Sequence, residues 1–410
     1  MRRVLRMVRQ AWRLLRDQGL RKFLSRAFKK VGAMIGGEDR PMLVAEGDAA
    51  AVDWTIPPET LRHPVVVTSG PLEMAWISSP PGAESGGHQN LFRFIRFAED
   101  AGHRATIYLY DQTGHSMNAV RNMLASSSAY PDLRAKIVRY DPEVGVAPET
   151  QALFATGWET AYPAFRDASR ARRFYFVQDF EPLFYPVGSE YVLAENTYRF
   201  GFHGITAGGW LSHKLRAEYD MPADHFDFAV DRSRYHVTNT APRTEIFFYA
   251  RPVTPRRAFE LGMIALADFA AIRPDVTINL AGWDVSDWKV PFPHRNLASL
   301  DISQLNDVYN RCAAGLVLSL SNMSLLPLEL MASGVAPIVN DAPNNRLVSN
   351  NPYIDWVEAS PPAIARKLVD VIERPDAAER AVAMSASLDS LDWSHSGTQF
   401  LTAVERVMRG

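Results

Sequence analysis

Three arginines, Arg251, Arg256 and Arg257, follow an apolar run within "FFYARPVTPRRAFELG". Arginines at a strand end, beside a helix start, suit a diphosphate, because the guanidinium fork can clamp phosphate oxygens two at a time. A solvated basic turn is the bland alternative; the position after a strand favours phosphate. A second cluster, Gln178, Asp179 and Glu181, lies just past the apolar "FYFV" and is followed by Phe184, Tyr185, Tyr191, Tyr198, Phe200 and Phe202. Carboxylates among aromatic rings fit a carbohydrate site, where rings cover C–H faces and acids accept hydroxyl protons. The alternative is a core bearing two surface acids. A third cluster, Gly86, Gly87 and His88 in "SSPPGAESGGHQN", reads as a glycine turn entering a helix, where free amides meet phosphate or sugar oxygens. A plain turn competes with that reading, since the spacing is neither a dinucleotide fingerprint nor a P-loop.

The fourth stretch is "VLSLSNMSLLPLELMASGVAPIV", with Glu329 near the start of a short helix between two apolar runs. A helix N-terminus favours the charged carboxylate and lowers its pKa. A hydroxyl ligand, such as for a ribose, therefore suits Glu329 better than a lone acid does. The amides of Leu325 and Leu326, beside Ser324, are placed to meet phosphate. No D-x-D triplet, Cys/His cluster or G-x-S-x-G element is present, so neither a metal site nor a hydrolase elbow is expected.

These residues need a scaffold. The 410 residues are 47% hydrophobic and 22% charged with net charge −2, enough for two cores and unlike a polyanion binder as a whole. The single Cys312, in "NRCAAGLVLSL", excludes an internal disulfide framework and reads as a small core hydrophobe. No apolar run reaches the roughly 18 residues of a membrane span. Residues 1–31 carry eleven Arg and Lys against Asp17, with apolar residues at helical spacing. That pattern predicts an interfacial helix, residues 1–35, on an anionic membrane surface, the alternatives being a transit peptide or a helix packed on its own protein.

Residues 36–70 read as a connector. From Glu73 strands and helices alternate: "EMAWIS", "RATIYLY", "AKIVRY", "TQALFATG", "ARRFYFVQDF" and "HGITAG" as strands, then "EIFFYA", "VTINLA", "GLVLSL", "APIVN" and "IDWVEA". Helices are expected at 258–271, 303–312 and 326–332 in the second series. Alternation of this kind predicts an α/β protein with two Rossmann-like domains, residues 71–240 and 241–391, facing across a cleft, and a final helix over 392–410. Ligands of open α/β sheets bind at strand carboxyl ends.

The segment from Leu300 to Val339 resembles the donor site of GT-B glycosyltransferases of family 4, which carries two glutamates eight positions apart. Glu329 matches the second, the ribose ligand; Ser321 occupies the place of the first, a departure that points to an altered or deoxygenated sugar. Arg251 and Arg256 match the paired basic residues on the donor diphosphate, and Gly86 and Gly87 the acceptor-side glycine loop. "YFVQDFEPLFYPVGSEYVLAENTYRFGFHGITAG" and "FYARPVTPRRAFELG" are similar to segments of the rhamnosyltransferases that build bacterial surface-layer glycans. The resemblance implies a dTDP-β-L-rhamnose donor in the C-terminal domain and a rhamnose-containing acceptor in the N-terminal one; Asp179 and Glu181 are expected to orient acceptor or donor sugar hydroxyls. It implies retention of configuration and no cofactor or metal; together with the basic N-terminal helix, the expectation is an enzyme peripheral on the cytoplasmic membrane face, working on a lipid-linked glycan. A different UDP- or GDP-sugar, a phosphorylase, an epimerase and a degenerate sugar-binding protein are the rivals.

Overall fold

The computed structural model describes residues 42–82 and 85–410. The basic stretch expected to lie on a membrane falls outside the described residues. Residues 46–410 form one compact unit.

Two all-parallel sheets organise that unit. The first has seven strands in the order β3-β2-β1-β4-β5-β6-β7: β1 Glu73–Ser78, β2 Arg104–Leu109, β3 Lys136–Arg139, β4 Ala152–Ala155, β5 Arg172–Val177, β6 His203–Ala207 and β7 Ala223–Phe226. The second has six, ordered β10-β9-β8-β11-β12-β13: β8 Glu245–Tyr249, β9 Thr277–Ala281, β10 Arg295–Ala298, β11 Cys312–Val317, β12 Ala336–Asn340 and β13 Asp355–Val357. Parallel strands need crossovers, so helices cover both faces and the central strands are buried throughout, as their continuous apolar runs require. In each sheet the order reverses once, between β1 and β4 and between β8 and β11. Those reversals open crevices at the strand carboxyl ends.

The first core is aromatic. Trp76 on β1 stacks on Phe154 of β4 at 3.9 Å between centroids, and Phe176 of β5 stacks on Phe226 of β7. Phe400, from the last helix Trp393–Arg409, is wholly buried among Trp76, Phe94, Phe154 and Phe176. That helix therefore returns from the second sheet to the first. Gly397 on it faces the ring of Phe97, where a Cβ would lie 2.7 Å from ring carbons. The outward crossing follows β7. Its backbone is held by Asn310, whose carboxamide accepts from Thr238 N at 2.7 Å and donates to His236 O at 3.0 Å.

Several expectations need correction. The helix expected over 303–312 is a 3₁₀ turn, Ile302–Gln304, then the helix Leu305–Tyr309, and Cys312 already opens β11. Asn310 stops the helix by donating its side chain back to Asn306 O. Two edge strands, β7 "ADHF" and β10 "RNLA", carry no apolar run and were not expected; edges tolerate short polar strands. In the stretch read as a connector, Glu46–Ala51 is a helix, and its buried Asp48 accepts hydrogen bonds from Tyr110 Oη and Arg166.

Candidate active site

Asp179 and Arg256 meet where the two sheets face one another. Asp179 follows β5 and is 8% exposed. Its Oδ1 accepts from Phe180 N at 2.9 Å and its Oδ2 from Arg256 Nε at 3.2 Å. The Arg256 guanidinium lies 4.0 Å over the Phe184 ring, a cation–π contact. Burial raises the Asp179 pKa, against the pull of Arg256 and Arg257. The wholly buried Ser321 hydroxyl sits beside this carboxylate without a hydrogen bond of ordinary geometry.

The turn after β8 orders its arginines differently. Arg251 donates Nη1–H to Gly282 O at 3.1 Å, flanked by the rings of Tyr249 and Trp283. Arg257 donates to the Ser319 hydroxyl, and burial lowers its pKa. Ser319 is a hub that sequence reasoning missed: its carbonyl accepts from the carboxamides of Asn340, Asn344 and Asn345. The only signal was the Asn-rich "IVNDAPNN" after an apolar run. Asn322, also missed, reaches the first sheet and donates Nδ2–H to Gln178 O at 3.0 Å and Ala207 O at 3.2 Å.

The glycine turn lies across the crevice between β1 and β4. Gly86 and Gly87 open the helix Gly86–Asp100, and Gly87 O accepts from Gln178 Nε2 at 3.0 Å. His88 contacts Ser85 Oγ through Nδ1 at 2.9 Å and Ser79 O through Nε2 at 3.0 Å, and burial lowers its pKa. A neutral ring with Nε2–H donating to the carbonyl fits both contacts.

Glu181 is not placed with them. The 3₁₀ turn Glu181–Phe184 carries its carboxylate inward, where Trp158 N donates to Oε2 at 2.5 Å and Tyr175 Oη at 3.1 Å. Burial, then neighbouring Glu159, pushes its pKa well up. The aromatic platform also shrinks: Tyr198, Phe200 and Phe202 are core, while Phe184 and Tyr185 keep partial exposure.

Glu329 lies on the helix Leu326–Ala332, with Ser324 and Leu325 part-buried before it and Leu326 buried. Its pKa moves opposite to the helix-terminus expectation, up to about 7, because burial outweighs the attraction of Arg234 and Arg93. Arg93 comes from the helix after β1 and lies 4.0 Å over the Trp393 ring, so Glu329 faces groups from both halves of the unit.

Solved structures share this architecture. A glycosyltransferase from Rickettsia africae aligns with TM-score 0.60 at 10% identity, over 83% of this chain and 100% of that one. A S. aureus TarM mutant in complex with fondaparinux, alpha-GlcNAc-glycerol and UDP aligns with TM-score 0.64 at 9% identity, over 81% and 99%. The fold is GT-B. Residues 136–207 of this GT-B chain match the WsaF N-terminal domain, and residues 244–369 the WsaF C-terminal domain. The O-antigen biosynthesis protein RfbC of Myxococcus xanthus is 31% identical over 351 residues, 83% of this chain. The chain spans 27% of that relative's length. The resemblance of this GT-B chain to surface-glycan rhamnosyltransferases, first read from its motifs, is thus met again over these matched segments.

Proposed function

We propose that the chain is a retaining glycosyltransferase of surface-glycan assembly, moving L-rhamnose from dTDP-β-L-rhamnose to a rhamnose-containing or other glycan acceptor. The observation that carries this reading is the pairing of Arg256, on the arginine-rich turn after β8, with Asp179 at the polar carboxyl edge of β5. Arg251 and Arg256 are assigned to the donor diphosphate and Glu329 to the ribose hydroxyls. In the transfer, the acceptor oxygen bonds to the sugar C1 while the C1–O bond to the diphosphate breaks. The electron pair stays on the leaving diphosphate, where the guanidinium groups held in place after β8 stabilise it. The hydroxyl proton passes to a phosphate oxygen. Asp179 and Gln178 orient sugar hydroxyls at the β5 edge, and no cofactor is required. Residues 1–31 are assigned to an anionic membrane surface, which would bring the crevice to a lipid-linked acceptor.

A donor screen tests the reading. Purified protein is incubated with dTDP-rhamnose, UDP-glucose, UDP-GlcNAc or GDP-mannose and a rhamnosyl acceptor, and products are followed by mass. Rhamnose transfer that Arg251→Ala and Glu329→Ala abolish is the expected result. Transfer of another sugar discards the rhamnose assignment. No transfer and no nucleotide binding overturns the enzyme.

A further inference from the structure

Asn322 lies in the loop that follows β11, is 1% exposed, and turns its carboxamide onto the other sheet. Its Nδ2 donates to Gln178 O at 3.0 Å and to Ala207 O at 3.2 Å. Gln178 follows β5 and Ala207 ends β6, and these two strands are neighbours in the first sheet. One short side chain of the second sheet's loop therefore straddles two adjacent strand ends of the first. Both partners are carbonyls, and an amide nitrogen offers the two N–H donors that they require.

The loop bearing Asn322 is itself pinned to the arginine turn. Leu320 N donates to Arg256 O at 3.0 Å, and the Ser319 hydroxyl accepts from Arg257 and donates to Asn322 O. Ser319 N is held by Asn340 Oδ1 at 2.8 Å, and Met323 N by Asn344 O at 3.3 Å. On the far side Gln178, whose carbonyl takes one Asn322 bond, donates Nε2–H to Gly87 O at 3.0 Å. A run of hydrogen bonds thus joins Arg257 to the glycine turn through Ser319, Asn322 and Gln178. The pair of Arg256 with Asp179 also bridges the sheets, but a diphosphate on Arg256 displaces it. Asn322 contacts none of the groups assigned to the donor diphosphate through its side chain, so its bonds persist when the nucleotide is bound.

We propose that Asn322 is a positioning residue of the transfer, fixing the arginine turn against the carboxyl ends of β5 and β6. It thereby sets the distance from the departing diphosphate to the acceptor at the first sheet's edge. The inference rests on the glycosyltransferase reading. A misplacement of about 1 Å between groups that must react costs about a hundredfold in rate, so a clamp of this kind acts on turnover rather than on nucleotide affinity.

The full chain is compared with Asn322→Asp, which keeps the size but turns a carboxylate on the two carbonyls, and with Asn322→Ala, which only removes the donors. Isothermal titration gives the dTDP Kd, initial rates with the sugar nucleotide that wild type transfers give kcat, and amide hydrogen exchange is followed without ligand. In Asn322→Asp, kcat falls about tenfold or more, dTDP Kd rises by no more than about threefold, and exchange quickens at residues 178–180 and 207–209. Asn322→Ala shifts the same quantities less. Wild-type kcat in both variants overturns the proposal, even where Tm falls, because it leaves Asn322 a purely structural contact. Loss of dTDP binding together with turnover also overturns it, since Asn322 then belongs to the nucleotide site. Unchanged exchange at both strand ends refutes the clamp itself. Wild type that binds no nucleotide and transfers no sugar defeats the glycosyltransferase reading and the proposal with it, whereas the other outcomes, in an active wild type, strike the proposal alone.

Discussion

Asp179 holds Arg256 through Nε at 3.2 Å, and Arg256 is the side chain assigned to the donor diphosphate. Binding the nucleotide must then break a contact already made. Replacing Asp179 by Asn keeps the shape and the Oδ1 acceptor for Phe180 N, but removes the charge facing Arg256. A hydrogen bond between charged groups contributes about 1.5–3 kcal/mol when buried and an exposed pair about 0.2–1. With side chains 26% and 11% exposed, this pair falls between, at about 1–2 kcal/mol. Released, that energy appears as tighter nucleotide binding, about 5- to 30-fold in Kd. Isothermal titration of dTDP into wild type and Asp179→Asn measures it, and transfer by the variant should fall even as binding improves. Equal or weaker dTDP binding by the variant would refute the displacement argument, since it would mean that Asp179 supports the donor rather than competing with it.

Glu329 gives a pH dependence. Its folded pKa near 7 exceeds its ordinary value of 4.5, so the folded state holds the proton more tightly than the unfolded chain. Stability therefore falls as pH rises from about 4.5 to 7, by up to about 3 kcal/mol; Glu329→Gln should melt above wild type at pH 8 and level with it near pH 4, and a pH-independent difference would sink the assignment. Cys312, buried with its thiol pushed up to about 12, should resist iodoacetamide in native protein and react once urea unfolds it. Gly397→Leu drives a side chain into the Phe97 ring and should lower stability by about 1–3 kcal/mol in urea unfolding.

Strands buried on both faces were legible because their apolar runs are continuous: "EMAWIS" is β1 residue for residue, and the helix Leu326–Ala332 was bounded as found. Polar edges β7 and β10 were not, because nothing in four mixed residues distinguishes an edge strand from a loop. The side-chain positions failed where rotation decides the outcome. Asp179 and Glu181 are two residues apart, yet one 3₁₀ turn sends the second to Trp158 N. Glu329 was judged by its helix alone, whereas burial against a crossing from the other sheet sets its charge. Ser319 and Asn322 stand among ordinary loop residues, and only the fold brings them to the crevice.

The chain passes between the two sheets twice, once after β7 and once into the helix whose Phe400 fills the first core. A cut in the first crossing would therefore leave the second sheet anchored to the first core through this helix. The contacts of Arg256 to Asp179 and of Asn322 to Gln178 O would still span the crevice.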